Sequence, residues 1–211
     1  MYLIKAERLA ADAACMEANA LRIEYLDKAE KTIKVHALPY HQQDDFHQTV
    51  CHDTLAKIHL QKTLADSENK KSHLEKALES STKAIKILTH SKQGNLNRNT
   101  KFYNTLGNVY LALDDIPNAK KTFQQDALPR PNGNVRDFPL AETYCGLAEV
   151  SYQEGDIVKS ARYAHDSLQI LHELKMIEHP IQHRALKLQS KIEAQLRQEE
   201  KVHENRLAIS F

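Results

Sequence analysis

Tryptophan is absent from this 211-residue chain, and glycine (five), proline (six) and cysteine (three) are scarce. Five glycines leave no phosphate-cradling loop of the GxxxxGK[ST] or GxGxxG kind and no GxSxG nucleophile elbow. Cys15, Cys51 and Cys145 are odd in number, widely spaced and outside any CxxC, which argues against a disulfide framework and for a reducing compartment. A charge excess is lacking too. With 29 basic and 28 acidic residues the net charge is +1, and there is no dense Lys/Arg block, so nucleic-acid binding is disfavoured. Met1 to Glu7 carries no apolar run of signal-peptide length, and no window approaches the ~18 residues of a membrane span. The expectation is a cytoplasmic protein without membrane insertion.

What remains is ordinary for soluble helices: 27% charged and 41% hydrophobic residues. The pattern predicts helices at about 2–18, 20–38, 43–66, 69–89, 99–113, 116–128, 138–154, 157–175 and 181–206, with no strand. Asp115-Ile116-Pro117 and Asp137-Phe138-Pro139 each place an Asp as N-cap with Pro in the first turn, and Gly155-Asp156 separates two later helices. Residues 2–38 contain neither Gly nor Pro, and their apolar positions fit either a hairpin broken near Asn19 or one long helix. The last helix carries Ile181, Ala185, Leu188, Ile192 and Leu196 as one stripe, with Arg184, Lys187 and Lys191 on its other faces. Such a one-sided helix suits the end of a stack.

The most informative stretch reads Tyr103-x-x-Leu106-Gly107-x-x-Tyr110, then Ala119-x-x-x-Phe123, Ala127 and Pro131. It resembles a tetratricopeptide repeat, a helix-turn-helix of ~34 residues, with Tyr103 where the family usually has Trp. A second copy runs through Tyr144, Leu147-Ala148, Tyr152, Gly155-Asp156, Ala161, Ala164 and Ser167-Leu168, with Ser151 in place of Tyr110. A third, Leu55-Ala56 to Ala77, Ser81, Ala84-Ile85 and Leu88, fits if its inter-helix loop around Asp66 to Asn69 is longer than usual. Gly107 and Ala148 are 41 residues apart, a spacing similar to the kinesin-light-chain-like subclass with its enlarged inter-repeat loop. The chain is thus expected to divide into an N-terminal helical pair or long helix (1–42), repeats at about 45–89, 100–133 and 141–174 within 43–178, and a capping helix with tail (179–211).

Each matching residue also has a physical reason. Gly107, Ala148, Ala119 and Ala161 are read as small because helices cross there at 8 to 10 Å. Gly in a helix interior costs ~1 kcal/mol relative to Ala, so close packing must return that much. Tyr110 and Phe123 would fill the wider part of the interface, and Pro131 would end the second helix.

Chemistry is harder to find. Twelve histidines invite a metal reading, and His47 and Cys51 share a helix face beside His52. His179 and His183 are four apart. No third and fourth ligand stands at a recognisable spacing, and His52 and His59 occupy positions of packing aromatics, so no metal or other cofactor is assigned. Cys145 and His165 fall on different helices pointing toward different surfaces, and Asp44-Asp45 and Asp114-Asp115 read as helix caps. An enzyme is not expected.

The resemblance implies an all-α, right-handed superhelix of three to four helix pairs plus the capping helix. In such a stack the first helices line a concave groove able to hold a peptide or helix of a partner protein. Residues projected onto that groove are Asp53, Lys57, Leu60 and Gln61 in the first copy and Lys101, Asn104, Asn108 and Leu111 in the second. The last copy projects Glu142, Cys145, Glu149, Tyr152 and Gln153. In related repeats asparagines placed like Asn104 and Asn108 bond a bound peptide's backbone. Glu142 and Glu149 would repel a chaperone-tail carboxylate, and with Asp53 they favour a ligand of some basic character. The two functional classes are a stand-alone adaptor and a sensor module acting within a larger system.

Overall fold

The computed structural model describes residues 1–14, 19–91, 96–128, 136–176 and 178–209, and every regular element among them is helical. No helix of the described residues is long and apolar enough to cross a membrane. The chain divides into two compact units, Met1–Thr122 and Phe123–Phe211.

In the first unit, α1 (Tyr2–Ala14) and α2 (Asn19–Thr32) are two helices packed on each other, so residues 2–38 are not one long helix. Ala6, Ala10 and Ala13 of α1 are buried against Leu26, Ala29, Ile33 and Ala37, and this cluster extends to Cys51, Leu55 and Ile58. Alanines at three- and four-residue spacing make one flat face of α1, which lets α2 approach closely. A π-helical turn, Ile33–Ala37, carries α2 into the short α3 (Leu38–Tyr40).

The longest pair follows, α4 (Asp45–Ala65) and α5 (Lys70–His90). Asp44 caps α4 by accepting from the His47 amide, and Asp66 accepts from the Asn69 amide in the turn between the helices. On α5, Leu74, Ala77, Ser81, Ala84 and Leu88 form the buried stripe. The loop here is only Asp66 to Asn69. The expected extra length instead lengthens the two helices, because their apolar faces remain paired along it.

Next come α6 (Leu96–Ala112) and α7 (Ile116–Lys121), the latter continued as a π-helical turn over Thr122–Ala127. Gly107 is buried, as are Phe102, Val109 and Ala119, while Pro131 lies outside the described residues.

The second unit contains α8 (Phe138–Gln153), α9 (Ile157–Glu173) and α10 (Pro180–Ile209). Phe123 is fully buried here, with its ring against the backbone of Gly146. Ser160 and Ser167 on α9 donate hydroxyl hydrogen bonds to the carbonyls of Ala148 and Ala141 on α8, at 2.8 and 2.7 Å. Ala161, expected at that crossing, is exposed. A buried serine can stand there because it is small and its hydroxyl is satisfied by the neighbouring helix.

The stripe of α10 docks through Ile181, Ala185, Leu188 and Ile192 and stops there. Leu196 is 42% exposed.

The turns repeat. Leu113, Asp114 and Asp115 donate their amides to Val109, Leu111 and Tyr110, and 41 residues later Glu154, Gly155 and Asp156 donate to Val150, Tyr152 and Ser151. The middle residue is left-handed in both, φ +62° at Asp114 and +79° at Gly155. Asp115 and Asp156 then each cap the next helix, from Asn118 and Lys159 amides.

Candidate functional site

The residues expected to line the groove do not share one environment. In the first unit Asp53 is buried and ion-paired to Lys57 at 2.8 Å. Lys101 lies over the Phe102 ring, 4.7 Å from its centre, and also near Phe46. Asn104 is fully buried, so it does not face away from the core; Asn108 and Leu111 are half-buried. The helical wheel misjudged Asn104 because α6 is enclosed on more than one side, through Phe102, Thr105 and Val109 as well.

In the second unit Glu142 is half-buried and Cys145 is entirely enclosed. Glu149, Tyr152 and Gln153 of α8 line one wall of a cleft of about 300 Å³, and Arg184, Lys187 and Lys191 of α10 line the other. Its apolar lining is Leu188 with the Tyr152 ring, both belonging to the cluster with Ala148, Ala164 and Ile192.

Arg184, placed by its sequence on an outer face of α10, reaches inward instead. Its Nη2 donates to Glu149 Oε2 at 2.6 Å and its Nε to Oε1, a two-pronged pair that fixes both side chains. Burial alone would lower the guanidinium pKa, but the Glu149 hydrogen bonds outweigh it and hold it above its ordinary value. Glu149 is therefore neutralised from within the protein. Lys187 and Lys191, both exposed and one turn apart, remain to set the sign of the cleft. Three cations against one carboxylate leave a surplus of two positive charges.

The thiols of Cys51 and Cys145 are sealed. Burial pushes Cys145 up to about 12 and Cys51 up to about 11, so neither is a thiolate nucleophile at neutral pH. His165 is exposed while Cys145 is buried. Cys51 turns into the α1–α2 core, away from any pairing with His47.

His47 joins a different group, with His41 and Asp44. One ligand atom from each lies within 4.8 Å of the others. His47 Nδ1 is 2.6 Å from Asp44 Oδ2, and the two imidazoles stack with centres 4.5 Å apart and planes 7° apart. An ion in the plane of one ring is thus out of the plane of the other, and shared coordination requires one ring to swing. This trio was missed because His41 lies in the turn before α4, where helical spacing gives no guide. His179 accepts from the Ile181 amide at 3.2 Å and packs edge-on to Phe138, a capping role at the start of α10.

No known family model matches the chain, and no curated protein is similar enough to count as a relative.

Proposed function

We propose that the chain is a non-catalytic recognition scaffold of the tetratricopeptide class, and that the cleft between α8 and α10 holds an acidic peptide segment of a partner protein. The observation that carries this reading is the internal neutralisation of Glu149 by Arg184, which leaves Lys187 and Lys191 beside an apolar floor. A carboxylate side chain would meet the lysines while a neighbouring aliphatic one rests on Tyr152 and Leu188. This reverses the sign of ligand that the bare sequence favours. The tetratricopeptide reading is supported by the turn-and-cap geometry that recurs after 41 residues, together with burial of Gly107, Ala119 and Phe123.

Fluorescence anisotropy with labelled peptides alternating Glu with Leu, or Lys with Leu, tests it. The acidic peptide should bind in a salt-sensitive way, and Lys187→Glu/Lys191→Glu should weaken it by roughly tenfold or more, two exposed pairs of up to ~1 kcal/mol each being lost and reversed. Preference for the basic peptide, or indifference to the double substitution, overturns the proposal.

A further inference from the structure

The turn between α3 and α4 gathers three side chains able to ligate a metal, His41, Asp44 and His47. The backbone that carries them is fixed. His41 donates its amide to the Ala37 carbonyl, and its own carbonyl accepts from the Asp44 amide at 3.0 Å and from Gln48 Nε2 at 3.2 Å. Both oxygens of Asp44 are oriented, Oδ1 by accepting from the His47 amide as the α4 cap and Oδ2 by its approach to His47 Nδ1 at 2.6 Å. The His41 ring is held by ring contacts, edge-on to Tyr40 and stacked on His47.

The turn also suits a positive charge, although α4 begins there. The helical run from α2 through the π-helical turn to α3 ends at Tyr40, so its C-terminal carbonyls oppose the N-terminal dipole of α4. Asp44 and Asp45 then add two carboxylates, both ionised at neutral pH.

We infer that this turn binds a divalent transition ion of the zinc class through a ring nitrogen of His41, Asp44 Oδ2 and His47 Nδ1, whose donor atoms lie within 4.8 Å of one another. Two imidazoles and one carboxylate suit Zn²⁺, whereas Ca²⁺ and Mg²⁺ take sets of oxygens. Bonds of ~2.0–2.2 Å place the donors around a tetrahedral zinc about 3.3 Å apart. The Asp44–His47 pair opens by about 0.7 Å to reach that, zinc replacing the hydrogen between them while the neutral ring carries its N–H on Nε2. The larger movement belongs to His41, which leaves the stack by turning about its side-chain bonds on a backbone that stays in place. The side chains of His47 and Asp44 are 45% and 47% exposed, so solvent reaches the fourth position. The site lies on a different unit from the α8–α10 cleft and does not depend on that reading.

The test titrates the whole chain with zinc chloride by calorimetry at about pH 7.5, where imidazoles are free of protons, and follows the imidazole resonances by NMR. One zinc should bind per chain, His41 and His47 should shift first, and a large excess of Mg²⁺ should not displace the ion. His41→Ala, Asp44→Asn and His47→Ala should each weaken zinc at least about tenfold, since loss of even an outer-shell partner costs ~10–100-fold. Asn retains the α4 cap, so Asp44→Asn separates ligation from helix capping, and melting curves without zinc report that each variant is folded. Absence of saturable binding, first shifts at other histidines, displacement by Mg²⁺, or a loss of less than about tenfold in any of the three variants overturns the assignment.

Discussion

Replacing Gly146 by Ala asks whether the Phe123 ring truly rests on the backbone of α8. An added Cβ would lie 2.4 Å from Phe123 Cζ and 2.7 Å from both Cε atoms, against the ~3.5–4.0 Å of a relaxed carbon contact. The ring must retreat by about 1 Å. It is fully buried, so its retreat compresses other core atoms. Overpacking of this kind costs about 1–3 kcal/mol, while Ala in place of Gly in a helix interior returns about 1. The net expectation is a loss of up to about 2 kcal/mol, or a melting temperature lower by up to roughly 8 °C for a chain of this size. Circular dichroism during urea and thermal unfolding reads it directly. The decisive comparison is a cycle with Phe123→Leu: in the leucine background the same Gly146→Ala change should become stabilising, because the obstructing ring is gone. If Gly146→Ala stabilises the native background by about 1 kcal/mol, helix propensity alone is acting and the packing argument is refuted.

Two further predictions concern the buried charges of the first unit. Lys62 is 4% exposed and donates to Asp27 at 2.6 Å and to Glu30. Lys62→Met should cost about 2 kcal/mol, because half-buried Glu30 is left with Lys34 alone and Asp27 loses its partner, whereas Lys28→Ala, which removes a pair exposed on both sides, should leave the urea midpoint nearly unchanged; similar urea midpoints for the two variants would contradict this. Acid should destabilise the protein well before its carboxylates titrate generally. His52 and His59 are held near 4 by burial, so the unfolded chain binds more protons and stability falls as pH drops from about 6.5 toward 4, by about 1.4 kcal/mol per pH unit for each ring. Burial would raise the Glu30 carboxyl, but hydrogen bonds from Lys34 and Lys62 hold it at about 2, so its contribution is full above 4.5 and is lost as pH falls from there to about 2. A urea midpoint constant from pH 7 to 5 would show that the two imidazoles are hydrated.

Helix number and limits were legible because their signals are local. Asp137 and Asp115 announce helix starts through their own side chains, and Gly155 marks a left-handed turn that few other residues adopt. Residues 2–38 left two answers open because a break there needs neither Gly nor Pro, only a docking partner for α1. The sites were less legible for the same reason. Arg184 finding Glu149, 35 residues away, depends on how α10 seats against α8. Asn104 has the chemistry of a recognition residue and the burial of a core one. Nor could spacing reveal that His41 meets His47, since that pairing is set by the turn between α3 and α4.

The π-helical turn at Thr122–Ala127 has a bearing on how such hairpins diverge. Ala119, Phe123 and Ala127 are all fully buried at spacings of four and four, whereas Ser160, Ala164 and Ser167 are buried at four and three. Leu128 donates to Phe123, five residues back, at 3.1 Å. A π-helical turn holds one residue more per coil than the α-helix around it, which is room enough for a single inserted amino acid. Ancestral insertions of this kind can hide without lengthening any connector, and two hairpins of common origin would then drift out of step by a single position while keeping the same shape.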